Sequence, residues 1–124
     1  MTDQKTVLIV DDEQDVRDVL ATALQDAGFA TLMASDGEEG LAVALDRKPD
    51  VVLLDIIMPN MDGWEMFDRL RKDAWGKTAN VLFLTNVGDM ESVSRAIDHG
   101  GKGYLMKADM KLEDVVKKVE ECLV

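Results

Sequence analysis

This chain predicts an α/β fold, a five-stranded parallel sheet doubly wound by five helices, on three observations. Short apolar runs alternate with amphipathic stretches, five of each, which is the rhythm of parallel strands joined by right-handed crossover helices. Two of the runs, Val7-Leu8-Ile9-Val10 and Val51-Val52-Leu53-Leu54, end in carboxylates, Asp11-Asp12 and Asp55, and open α/β sheets keep their ligands at the carboxyl edge of the strands. Finally, 124 residues with 47% apolar content fill one core of ordinary size and leave no room for a second. Residues 1–124 are therefore expected to form a single domain.

Taken in order, strands are expected at 6–10, 30–34, 50–54, 80–84 and 103–106. The first helix follows the first strand, with Val16, Val19, Leu20, Ala23, Leu24 and Ala27 at spacings of three and four, and Gly28 stops it. The second begins at Asp36, spaced from Glu39 like a capping box, and ends before Pro49, which disfavours helical geometry in the residue ahead of it. A third starts at Asp62, again with an acid three residues on, at Glu65. The fourth, near 89–99, carries Met90, Val93 and Ile97; the fifth, near 110–123, carries Leu112, Val115, Val116, Val119 and Leu123. Trp64 and Trp75 flank the third helix as structural residues.

Charge and composition exclude several classes of function. A net charge of −11 opposes contact with a polyanion, so direct nucleic-acid binding is not expected. No apolar stretch approaches the ~20 residues of a membrane span, and Met1-Thr2-Asp3-Gln4-Lys5 lacks the apolar segment of a signal peptide. A cytoplasmic protein without a membrane partner is the expectation. Cys122 is the only cysteine and His99 the only histidine, which rules out a Cys/His metal cluster and an intramolecular disulfide.

Chemistry concentrates in the acids. Asp11 and Asp12 on one strand end and Asp55 on another would repel one another, an arrangement that becomes favourable when a hard cation such as Mg²⁺ bridges them. Taken singly, each residue has a plainer role: Asp11 and Asp12 could cap the first helix, Asp55 could be a loop acid, Thr85 an ordinary strand residue and Lys107 a solvated surface lysine. Their joint placement at several strand ends is what favours a site.

Four separated motifs carry a resemblance to a known family: the Asp11-Asp12 pair, Asp55 with Met58-Pro59 and Asp62-Gly63 behind it, Thr85 ending the fourth strand, and Tyr104 followed by Lys107 at the fifth. In this order, on this alternation, the chain resembles the receiver domains of bacterial-type two-component response regulators, those of chemotaxis regulators included. The resemblance implies the flavodoxin-like strand order 2-1-3-4-5, in which the first and third strands are neighbours. It also implies roles. Asp55 would be the phosphoacceptor, taking a phosphoryl group from a sensor histidine kinase or phosphotransfer protein. Asp12 and Asp55 would hold Mg²⁺ directly, Asp11 through water, and the Ile57 carbonyl would complete the protein's share. Lys107 and Thr85 would meet the phosphoryl oxygens, and Thr85 with Tyr104 would relay the change to an output face read by a downstream protein. Such a chain is a switch that assists its own phosphorylation and dephosphorylation, rather than an enzyme acting on a separate substrate.

The sequence departs from the family pattern at three positions. Ala108 follows Lys107 where proline after a cis bond is usual; since a cis bond to alanine would cost about 3 kcal/mol, a trans bond and a shifted loop are expected. Asn86 replaces a small residue after the threonine, and Gly101 stands where alanine is common. Two competing readings remain. Mg²⁺-dependent phosphohydrolases with an aspartyl nucleophile generally carry a second aspartate two residues on, and here that residue is Ile57. A degenerate receiver that binds a partner without phosphorylation is disfavoured by the joint presence of Asp11, Asp12, Asp55, Thr85 and Lys107. No Gly-rich phosphate loop follows the first strand, which argues against nucleotide binding.

Overall fold

A computed structural model describes residues 4–85, 94, 97–98, 100–109 and 111–123. Its strands are β1 (Thr6–Val10), β2 (Ala30–Ala34), β3 (Val51–Asp55), β4 (Val81–Thr85) and β5 (Gly103–Met106), paired in parallel in the order β2-β1-β3-β4-β5. The expected topology is the one found. β3 and β4 each extend one residue further than the sequence suggests: Asp55 pairs with Leu84, and Thr85 with Met106. The ladder continues because a polar side chain at a strand end does not interrupt backbone pairing, and both site residues are consequently anchored by the sheet.

Alternation of side chains sends the core to two faces. Leu8, Val10, Val52, Leu54, Val81 and Phe83 meet Ala44 of α2 (Gly37–Arg47) and Met66, Phe67 and Leu70 of α3 (Gly63–Lys72). Val7, Ile9, Val51, Leu53, Leu82 and Leu84 meet Leu20 and Leu24 of α1 (Gln14–Asp26) and Val115 and Val119 of the C-terminal helix α4 (Leu112–Cys122). Strands covered on both faces are apolar throughout, as the unbroken runs in β1 and β3 require.

Helix starts follow the capping residues. Asp36 accepts a hydrogen bond from the Glu39 amide, and Asp62 one from the Glu65 amide. Glu39 itself reaches back to the Ser35 amide, closing the predicted box one residue early. Gly28, with φ of 98°, ends α1 in the left-handed region that only glycine enters freely. Two residues of the apolar spacing in the first helix lie off its buried stripe: Val19 is 48% exposed and Ala27, just past the end of α1, is exposed. The buried stripe is centred on Leu20, Ala21 and Leu24, which leaves Val19 over a surface groove it shares with Leu112 and Val116. The predicted fourth helix lies outside the described residues except for Ser94, Ile97 and Asp98, which are helical; Met90, Val93 and His99 are among those not described.

α3 runs from the carboxyl edge of the sheet to its amino edge. At its start Gly63 lies so close to the Asp55 carbonyl that a Cβ there would collide with it, and its amide donates to the Ile56 carbonyl at 2.8 Å. At its end the Arg71 guanidinium donates to the carbonyls of Gly76, Ala79 and Gly100 and lies 4.6 Å over the Phe67 ring. Between them, Phe83 of β4 is held by Trp64 and Phe67, each with ring centroids 5.1 Å away. Trp64 is thus structural, as expected, and Trp75 packs partly buried on the same core.

Candidate functional site

Because β1 and β3 are neighbours, the acids that end them converge. The carboxylates of Asp11, Asp12 and Asp55 each place an oxygen within 4.8 Å of the others. Asp11 and Asp55 are buried and Asp12 is exposed, so the cluster opens to solvent on one side. Backbone contacts fix the buried pair. Asp11 Oδ1 accepts from the Glu13 amide at 2.8 Å, the Asp11 carbonyl accepts from the Arg17 guanidinium at 2.6 Å, and Asp55 Oδ1 accepts from the Ile56 amide at 2.9 Å. The helix-capping role conceivable for the aspartates goes to neither: α1 is capped at Glu13, whose side chain makes no cap hydrogen bond.

Lys107 opens a short 3-10 turn, Lys107–Asp109, directly after β5. No cis peptide bond occurs among the described residues, so Ala108 follows through a trans bond, as expected. The lysine still reaches the cluster. Its Nζ lies 3.0 Å from Asp11 Oδ2, 3.5 Å from Asp55 Oδ2 and 2.8 Å from Glu13 Oε1. The Asp11 contact is an ion pair without hydrogen-bond geometry, and among the described residues Asp11 Oδ2 is one of two buried side-chain polar atoms with no hydrogen-bond partner.

These contacts set the electrostatics. Burial, then the Asp11 charge, push the Asp55 carboxyl up to about 7, with Lys107 pulling the other way. Burial likewise raises Asp11 above the usual carboxylate range, against the pull of the Glu13 amide and Lys107. Burial alone would push Lys107 down, but Glu13, Asp11 and Asp55 outweigh it and hold the ammonium above its ordinary value. Among the described residues one cation therefore serves three carboxylates, and the buried Oδ2 of Asp11 meets it as an ion pair. That donor set, all hard oxygen and under-neutralised, fits a hard divalent cation such as Mg²⁺ better than a soft metal.

Thr85, fully buried at the end of β4, belongs to the strand between β3, which carries Asp55, and β5, which Lys107 follows. Tyr104 lies opposite Phe83 on β5, partly buried against the same core, on the sheet face that Thr85 shares through the alternation. Ile57 is in the loop two residues beyond Asp55 with its side chain 64% exposed. Asn86 lies outside the described residues. Sequence reasoning missed Glu13. Its signal was present in the unbroken acidic run Asp11-Asp12-Glu13, but nothing in the sequence pairs position 13 with Lys107 across 94 residues.

A family model described as the response regulator receiver domain matches residues 7–120. The chain is 37% identical over 103 residues to the phosphate regulon transcriptional regulatory protein PhoB of Pseudomonas aeruginosa, covering 83% of this chain and 45% of that one. It is 32% identical over 117 residues to the DNA-binding dual master transcriptional regulator RpaA of a Synechocystis strain, covering 94% of this chain and 48% of that one. The chain thus spans about half the length of these curated relatives. Among solved structures, the chemotaxis protein CheY4 of Vibrio cholerae superposes with a TM-score of 0.87 at 32% identity, over 96% of this chain and 98% of that one. A CheY-like receiver domain protein of Methanospirillum hungatei gives 0.87 at 27% identity, over 97% and 94%. With the strand order, the acidic pocket and the family match in agreement, the chain belongs to the response regulator receiver domain family, the signalling switches of two-component systems.

Proposed function

We propose that Asp55 accepts a phosphoryl group from the phosphohistidine of a sensor kinase or phosphotransfer protein, and that the resulting acyl phosphate switches the surface around β5 and α4. The observation that carries this reading is the convergence of Asp11, Asp12 and Asp55 to within 4.8 Å, with the Lys107 ammonium 3.5 Å from Asp55. Phosphoryl transfer needs little covalent help but much neutralisation of charge on the equatorial oxygens, and in-line placement of the acceptor. Asp55, paired into the β3–β4 ladder and braced by the Ile56 amide and the close approach of Gly63, is a carboxylate held still for attack. Lys107 supplies one positive charge, and the Thr85 hydroxyl would donate to a phosphoryl oxygen. The carboxylates of Asp11, Asp12 and Asp55 and the carbonyl of Ile57 would hold Mg²⁺. When bound, the ion supplies the additional positive charge that lets a dianionic donor approach three acids.

Domain extent and partners follow from the same reading. Residues 1–124 form one receiver domain, cytoplasmic and exchanging phosphoryl groups with a kinase or phosphotransfer protein; its output partner is another protein. Among the described residues no helix is long and apolar enough to cross a membrane. A charge of −11 keeps this domain itself off nucleic acid, whatever the longer relatives do. The phosphohydrolase alternative lacks its second carboxylate, because the position two residues after Asp55 is the exposed Ile57.

The test is labelling by a small phosphodonor. With acetyl phosphate and Mg²⁺ the chain should take up one phosphoryl group, labile to hydroxylamine as an acyl phosphate is, and Asp55→Asn should take up none while keeping its melting temperature or raising it. Full labelling of Asp55→Asn, or no labelling of the wild-type chain, would sink the assignment.

A further inference from the structure

Lys107 has more anionic company than contact with a phosphoryl group requires. Its shortest contact is with Glu13, at 2.8 Å, shorter than those to the buried Asp11 and Asp55. The Glu13 carboxylate is not one of the three that cluster for a metal, and although Glu13 occupies the N-cap of α1 its side chain does no capping. The residue's root is fixed all the same, because its amide is bonded to Asp11 Oδ1. A side chain 61% exposed to water, free to extend into it, instead bends over the mouth of the pocket onto a lysine that is 11% exposed.

The geometry sets up a rivalry. An ammonium and a divalent cation both seek the carboxylates of Asp11 and Asp55, and the two cations repel each other at such range. An ion entering the cluster must move Lys107 off those oxygens. With no second anion at hand the flexible lysine would either hold its ground against the ion or leave for solvent, and in both cases the pocket loses one of its two positive charges.

We propose that Glu13 is a positioning residue, the mooring that takes the Lys107 ammonium when a divalent cation claims Asp11 and Asp55 and keeps it at the pocket mouth, in reach of an incoming phosphoryl group. The inference rests on the metal and phosphoryl reading of the site given above. Glu13 acts through Lys107, so its effect must disappear when Lys107 is gone.

A double-mutant cycle tests this, with Mg²⁺ affinity read by titration calorimetry on the full chain in the absence of any phosphodonor. Glu13→Gln should weaken Mg²⁺ binding by about two- to fivefold, the range of an exposed ion pair. In a Lys107→Ala background the same substitution should change it far less. Glu13→Asp should recover most of the affinity, since the lysine stem can follow a carboxylate one methylene shorter. Unchanged affinity in Glu13→Gln, an equal loss with and without Lys107, or a Glu13→Asp chain no better than Glu13→Gln would overturn the mooring. If the wild-type chain bound no Mg²⁺ at all, the reading of the site would fall and the mooring with it; normal wild-type binding with an inert Glu13 removes the mooring alone.

Discussion

Lys107 Nζ stands 3.5 Å from Asp55 Oδ2 although β4 separates β3, which Asp55 ends, from β5, which Lys107 directly follows. The long side chain reaches past the end of that intervening strand, which Thr85 closes, so the lysine and the aspartate meet across the carboxyl edge of the sheet.

The first prediction comes from that reach. Lys107→Ala removes the cation shared by Asp11, Asp55 and Glu13 while leaving backbone pairing intact. Phosphorylation by acetyl phosphate at saturating Mg²⁺ should slow by about 10²-fold or more, the usual loss when one preorganised charge partner is deleted from a reacting centre. A rate within a factor of about two of wild type would place Lys107 outside the chemistry.

The second concerns pH in the absence of divalent metal. Asp55 has a carboxyl raised from 3.8 to about 7 in the folded chain, so its contribution to stability is fully present below 3.8 and is lost as pH rises through about 7. Asp11 shifts in the same direction. Stability of the metal-free chain relative to Asp55→Asn should therefore fall across this window, and Mg²⁺ should restore it most at the upper end. Melting curves for both chains across the window check this; parallel pH dependences would show that Asp55 carries no such penalty.

A third prediction addresses the switch. Thr85 and Tyr104 share a sheet face on adjacent strands, and Tyr104, with Lys111, Asp114 and Lys118 of the following segment, lines one surface groove. The beryllofluoride-loaded chain should show amide-exchange changes at Tyr104 and the start of α4 that exceed those in α2, since a ligand at Asp55 biases the arrangement coupled to Thr85. Changes confined to residues flanking Asp11 and Asp55 would exclude this relay.

Much of this site was legible in the sequence because its residues sit where strand rhythm ends. Asp11, Asp12, Asp55 and Thr85 each close an apolar run, and strand order alone then brings them together. The bounds of β3 and β4 slipped by one residue for the same reason: hydropathy stops at Leu54 and Leu84, whereas backbone pairing continues through Asp55 and Thr85. Val19 shares the apolar spacing of α1 yet lies exposed, because spacing by three and four does not distinguish the centre of a buried stripe from its edge. Glu13 was invisible, since its partner is chosen by a lysine arriving from the far end of the chain.

A fourth prediction concerns the lifetime of the acyl phosphate. Hydrolysis needs a water aligned with the bond from Asp55 to phosphorus, and Ile57, exposed beside the acceptor, offers no hydrogen bond to hold one. Ile57→Asn should speed loss of label after donor removal by several-fold without altering Mg²⁺ affinity. An unchanged decay would mean that this side chain does not set the lifetime.

Arg71 ties the carbonyls of Gly76, Ala79 and Gly100 together at the edge where β4 and β5 begin, the opposite side of the sheet from Asp55. The molecule therefore has a working rim and an anchoring rim, joined by α3 as a strut with Gly63 at one end and Arg71 at the other. Damage to the two registers differently in a cell. On the proposed reading, loss of a carboxylate at the working rim should silence the protein without lowering its amount, whereas a lesion at Arg71 should lower the amount and leave each surviving copy competent.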